Sequence, residues 1–175
     1  LRSQLGIVMQ EFFLFSGNIL ENITLYNREF SIEQIQAAAK LAGAHDFIQK
    51  LPLGYSTRIG ERGIRLEKWQ EQKIAIARAL IKNPRILLLD ESSSYGDSQS
   101  EYQFEQNLAR FNSAFINTSS TFRTTFIVTP SFNSILSADC ILVLDRGVLA
   151  DQGTHEELMK KNTVYPSLVQ KQMNM

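Results

Sequence analysis

An α/β fold, a mostly parallel sheet interrupted by an inserted α-helical subdomain, is what this 175-residue sequence predicts. Strand-like tracts at 5–9, 86–89, 125–129 and 141–144 alternate with helix-like stretches, the pattern of parallel strands joined by crossovers. The tract Ile86-Leu87-Leu88-Leu89 is an unbroken apolar run, as a buried strand requires. Helix signals are concentrated between residues 31 and 83, ahead of that run, which places the helical insertion there.

The elements follow in order. Residues 5–9, Leu-Gly-Ile-Val-Met, form a short apolar strand. Ser31-Ile32-Glu33-Gln34 offers a capping box that opens a helix over 32–42, and Gly43 ends it. A second helical stretch covers 44–51, until Pro52 and Gly54 break the pattern. A longer helix over 69–82 sets Ile74, Ala77 and Ile81 on one face before Asn83-Pro84 closes it. After strand 86–89, Ser98-Gln99-Ser100-Glu101 is another capping box, for a helix over 99–111. Strands at 125–129, β-branched, and 141–144 follow, then a helix capped at Thr154-His155-Glu156-Glu157 and a short one over 166–172.

Composition narrows the function classes. With 43% hydrophobic and 21% charged residues, the chain has ordinary globular composition and enough length for a real core. Lys plus Arg and Asp plus Glu both number 18, so no global basic field attracts nucleic acid or an anionic membrane. The only cysteine, Cys140, adjoins the run Ile141-Leu142-Val143-Leu144 and reads as a small core residue. No stretch approaches the ~20 apolar residues of a membrane span, and no signal-peptide pattern opens the chain.

Chemistry is concentrated where strand 86–89 ends in Asp90-Glu91. Two carboxylates at the carboxyl end of a parallel strand sit at the mouth of the sheet, where ligands bind. One suits Mg²⁺ and the other suits polarising water. Apolar strands often end in acids, so the neighbouring segments decide the reading.

Val8-Met9-Gln10-Glu11 precedes Leu14-Phe15 and Ile19, Glu21, Asn22 and Ile23. Ala42-Gly43-Ala44-His45-Asp46-Phe47-Ile48 precedes Leu51-Pro52-Leu53-Gly54-Tyr55-Ser56-Thr57 and Gly60-Glu61-Arg62-Gly63. Near the end stand Ala138-Asp139-Cys140-Ile141-Leu142-Val143-Leu144-Asp145-Arg146-Gly147 and Gly153-Thr154-His155-Glu156-Glu157-Leu158. With Asp90-Glu91 these segments resemble, along nearly the whole chain, the ATP-binding domain of ABC transporters of the exporter branch, which moves peptides, toxins and lipids.

The resemblance implies a partial P-loop NTPase-like core with ATP and Mg²⁺ as cofactors. It implies a glutamine-loop region at 1–24, a helical subdomain with the signature region at 25–83, and the carboxyl-terminal part of the α/β core at 84–175. Asp90 is then expected to bind Mg²⁺ through water, Glu91 to be the catalytic base, and Gln10 to complete the Mg²⁺ and attacking-water network. Asp97 matches an aspartate at the family's dimer interface, although Tyr95-Gly96 replaces the usual Ala-Leu. The implied partners are a transmembrane domain, docked on Phe12, Phe13, Phe15 and the segment Gly60-Glu61-Arg62, and a second ATP-binding domain, with no nucleic acid. The implied location is the cytoplasmic face of a membrane.

Three departures from the family pattern raise a second reading, a non-hydrolysing domain with a structural or regulatory role. None of the nine glycines is followed by lysine, so the G-x-x-x-x-G-K-[ST] phosphate loop is absent, and the expectation is a chain truncated ahead of the glutamine loop. The signature segment, LSGGQ in the family, reads Leu66-Glu67-Lys68-Trp69-Gln70, keeping only Leu66 and Gln70 as nucleotide contacts. Glu67 sets a carboxylate against a polyanion and Trp69 an indole where the backbone must approach phosphate, whereas as parts of a helix start both residues are reasonable. Pro130 stands at the family's switch histidine and has no donor to give. His45 and His155 read as solvated or capping residues, and 112–122 reads as an inserted surface loop.

Overall fold

A computed structural model describes residues 4–11, 13–60, 63–90, 102, 106–109, 123–129, 132–161 and 164–173. Phe12, Glu61, Arg62, Glu91, Asp97, Pro130, the Ser98 capping box and the 112–122 insertion lie outside them, as does most of the helix expected over 99–111, of which 102 and 106–109 are helical. The chain divides into two compact units, residues 1–128 and 129–175.

The first unit is built on a three-stranded parallel sheet in the order β1-β4-β5, with β1 at Leu5–Val8, β4 at Ile86–Asp90 and β5 at Thr124–Val128. Helix α4, Lys68–Leu80, packs against β1 and against α1 (Ile19–Thr24) and α2 (Ile32–Leu41). Ile74, Ala77 and Ile81 are buried as expected, but so are Gln72, Lys73, Ala75, Ile76, Ala79 and Leu80, so the helix is covered on more than the one face read from the sequence. Gly6 makes the close approach possible: a Cβ there would meet Pro84 Cγ at 2.9 Å and the Ala79 carbonyl at 3.0 Å. Asn83 takes a left-handed φ of 47°, which turns the chain from α4 into β4.

Between β1 and α4 the helical part matches the sequence reading at α2 and at α3 (His45–Lys50). The sequence reading omitted α1, although Asn18 and Glu21 close a capping box at its start, and omitted the two-residue antiparallel pair β2 (Gly17–Asn18) and β3 (Arg58–Ile59). Both are too short to give a periodic pattern. The core joins sheet and helices through Val8, Leu87 and Leu89 with Ile19, Ile23, Ile48, Ile74 and Ile76.

Among the described residues the parallel sheet leaves an apolar row exposed, and its outer strand β5 is exposed towards both faces, since Ile127, in register with the buried Leu89, is 36% exposed. Register aligns Ile7, Leu88 and Phe126 in one row, and period-2 alternation sets them opposite Leu87 and Leu89. Ile7 is 51% exposed, Phe126 47% and Val128 66%, while Leu88 is half-buried. Each such side chain forgoes about 1.5–3 kcal/mol of burial.

The second unit is a hairpin, β6 (Ile141–Asp145) with β7 (Val148–Gly153), and three helices, Phe132–Ser137, His155–Met159 and Val164–Met173. Arg146 and Gly147 both take positive φ, 48° and 81°, as a two-residue hairpin turn demands. Val143, Leu158, Tyr165 and Val169 form its small core.

Cys140 corrects a sequence expectation: it is exposed rather than a core residue. Along β6 the inward positions are Ile141 and Val143, so 140 falls in phase with Leu142 and Leu144, which are 50% and 69% exposed. An apolar run gives no parity, and here alternation decides the side.

Candidate functional site

Parallel pairing brings two of the expected site residues to one edge. Val8 of β1 is in register with Leu89 of β4, so Asp90, the last residue of β4, and Gln10, two residues beyond β1, emerge together at the carboxyl end of adjacent strands. Both are exposed. That edge is where open α/β sheets bind ligands. Asp90 and Gln10 offer hard oxygen donors of the kind Mg²⁺ takes, and two such donors leave positions for water and phosphate oxygens. Among the described residues no group of three or more His, Cys, Asp and Glu is arranged to hold a metal ion.

The two residues retained from the signature lie apart from that edge in role. Leu66 is buried in the core. Gln70 Oε1 accepts the Glu67 N–H at 3.0 Å, half of a capping box that opens α4 with Glu67 as N-cap. Trp69 Nε1 donates to Glu67 Oε2 at 2.6 Å, its ring meets Phe47 edge-on at 5.5 Å, and Lys73 Nζ lies 4.9 Å from its centroid. Lys68 pairs with Glu71 at 3.7 Å. The turn is thus organised as a helix start with its own carboxylate at the positive end of the dipole, which opposes a bound anion.

Neither histidine is simply solvated. His45 and His155 each open a helix, are half-buried, and share a hydrogen bond through Nδ1 with a tyrosine hydroxyl ten residues on, Tyr55 at 2.8 Å and Tyr165 at 2.7 Å. Burial, and secondarily the Asp46 carboxylate, pushes the Tyr55 hydroxyl up to about 12.

Sequence reasoning missed a polar network behind the glutamine loop. Asn22, fully buried on α1, accepts through Oδ1 from Phe15 N–H at 2.8 Å and Arg78 Nη2 at 2.9 Å. Its Nδ2 donates to the carbonyls of Phe15 at 2.9 Å and Asn18 at 3.0 Å. Arg78, half-buried on α4, also donates through Nε to the Asn22 carbonyl at 2.8 Å and through Nη1 to the Phe13 carbonyl at 3.0 Å. The only signal was a charge inside the apolar tract Ala75-Ile76-Ala77-Arg78-Ala79-Leu80. Phe13 and Phe15 themselves are 69% and 41% exposed, with ring centroids 5.0 Å apart.

A family model described as ABC transporter matches residues 1–94. This chain belongs to the ABC transporter family. It is 43% identical over 173 residues to the alpha-hemolysin translocation ATP-binding protein HlyB of Escherichia coli, covering 98% of this chain and 23% of that protein. It is 42% identical over 168 residues to the putative multidrug export ATP-binding/permease protein YgaD of Bacillus subtilis, covering 96% of this chain and 28% of that one. ABC transporter B family member 17 of Arabidopsis thaliana is 44% identical over 170 residues, which are 97% of this chain and 13% of that protein. Among solved structures, a bacterial Atm1-family ABC exporter with ATP bound superimposes with a TM-score of 0.85 at 38% identity, over 98% of this chain and 28% of that one. The chain therefore matches the ATP-binding region of exporter-type ABC proteins and spans less than a third of the length of these relatives. No described helix of this ABC chain is long and apolar enough to cross a membrane.

Proposed function

We propose that this chain contributes the carboxyl-terminal part of an ABC exporter's ATP-binding region and couples ATP binding and hydrolysis to a transmembrane partner domain at the cytoplasmic face of a membrane. The observation that carries this reading is the placement of Gln10 and Asp90 at the carboxyl ends of adjacent parallel strands. Within it, residues 1–24 are the glutamine-loop region, 25–83 the helical subdomain and 84–175 the rest of the α/β core. Asp90 and Gln10 would hold Mg²⁺. Glu91 orients the attacking water and takes its proton as the bond from γ-phosphorus to the bridging oxygen breaks, leaving ADP and inorganic phosphate. Mg²⁺, when bound, neutralises charge on the β- and γ-phosphate oxygens. Asp97 belongs to the contact with a second ATP-binding domain, and Leu66 and Gln70 to the segment this subunit presents to its partner's nucleotide. The exposed Phe13 and Phe15 are the docking point for the transmembrane domain.

The non-hydrolysing reading is favoured by one observation, the Glu67 carboxylate and its Trp69 hydrogen bond at the start of α4. The test is an exporter in which residues 1–175 replace the equivalent part of one ATP-binding domain. Asp90→Asn should lower Mg²⁺-dependent hydrolysis there by about 100-fold, and Gln10→Ala by a smaller factor. Equal rates in all three proteins would remove the assignment.

A further inference from the structure

The segment 13–15 has no regular secondary structure, yet its main chain is tied at three points, twice to Asn22 seven residues on and once to the distant Arg78. Asn22 acts on Phe15 as a neighbouring strand would, accepting its N–H and donating to its carbonyl. Arg78 then grips both sides of this arrangement: Nη2 reaches the Asn22 side chain, Nε the Asn22 carbonyl and Nη1 the Phe13 carbonyl, while Cζ lies 5.4 Å from the Phe15 ring centroid. The planar fork of a guanidinium fills these three acceptors at once, and it stacks on an aromatic ring, which an ammonium group does less well.

We propose that Arg78 is a positioning residue that locks the main chain of residues 13–15 to α4, so that the Phe13–Phe15 pair and the Glu67–Gln70 start of that helix move as one body. The inference rests on the reading of Phe13 and Phe15 as a docking point. Under it, a displacement of the rings by a partner domain is carried by Arg78 along α4 to the turn presented to the second ATP-binding domain.

The test is amide hydrogen exchange on the whole chain, reading the Phe15 N–H that Asn22 accepts. Arg78→Lys keeps the charge and loses the fork. Ile23→Val, on helix α1 beside Asn22 and fully buried, supplies a control of comparable global destabilisation. Hydrogen bonds to a charged group are worth ~1.5–3 kcal/mol, so Arg78→Lys should speed Phe15 exchange about tenfold or more beyond what Ile23→Val produces at matched stability. Equal acceleration in the two variants, or none in Arg78→Lys, would overturn the proposal. Should Arg78→Lys fail to fold, the unsubstituted protein decides: in sub-denaturing urea, Phe15 and the α4 amides should open with the same denaturant dependence. A Phe15 amide that exchanges independently of urea while α4 responds would refute the lock. No nucleotide or partner enters these measurements, so their failure removes the lock alone, whereas failure of the hydrolysis test removes the functional reading.

Discussion

Asn22 fills its side-chain hydrogen-bonding capacity in a fully buried position, which makes it the residue whose loss the first unit should tolerate least. Asn22→Ala leaves the Phe15 amide without its acceptor and Arg78 short of one, and should lower stability by about 2–4 kcal/mol in denaturant titration. Leu25→Ala, at an exposed position on the same helix end, should change it by less than about 0.5 kcal/mol. Tyr55 gives a pH-dependent counterpart. Its hydroxyl ionises near 12 when folded against an ordinary 10.0, so its contribution is complete below pH 10 and is lost as pH rises from 10 towards 12. Tyr55→Phe should flatten the alkaline limb of the stability curve in that window. The strand-end position of Asp90 was legible because an apolar run ending in carboxylates is a local signal, whereas Gln10 was picked out only by its flanks Val8-Met9 and Leu14-Phe15. Asn22 and Arg78 were not, because they lie 56 residues apart and only folding joins them.

At the scale of elements, capping chemistry was the most legible feature. The boxes read at Ser31 and Thr154 form as expected, and Glu67 with Gln70 adds one where the family has a phosphate clasp. Helix starts are written in four consecutive residues, whereas α1 and the β2–β3 pair are too short to show a period. Strand bounds drifted by a residue, 125–129 becoming Thr124–Val128, because β-branched residues on both sides of the boundary suit an extended chain equally. The Thr154 box carries a prediction. The Thr154 backbone N–H, then its side chain, holds the Glu157 carboxyl below the ordinary 4.5. A lowered folded pKa gives stability that is present above pH 4.5 and lost as pH falls through the folded value. Amides of His155–Met159 should therefore lose protection on acidification before those of β6 and β7, and Glu157→Gln should blunt that dependence.

For the whole molecule, the open row of Ile7, Leu88 and Phe126 with Val128 leaves apolar sheet surface in solvent. We expect concentration-dependent self-association of the chain, measurable by sedimentation, and a weakening of it by Phe126→Thr, which puts a β-branched strand former in place of the exposed ring. Persistent monomer at high concentration would count against the under-covered face. The sequence conveyed the parallel sheet and the site edge through its strand runs and terminal carboxylates. It did not convey which sheet face stays open, since an unbroken apolar run reads the same from both sides.

We propose that this subunit keeps the Mg²⁺ and base residues of its own nucleotide site while the turn it lends to its partner is altered at Glu67, Lys68 and Trp69. The direct measurement is single-turnover ATP hydrolysis in a hybrid exporter carrying residues 1–175 in one ATP-binding domain. Pro130→His is included to supply the γ-phosphate contact that the family resemblance assigns to that position. One series removes the base of the second domain and the other carries Glu91→Gln. Turnover in the first series and about background in the second is the predicted result, a general base being worth roughly 10²–10⁴-fold. Background in the first series, with turnover persisting in the second, would contradict the account.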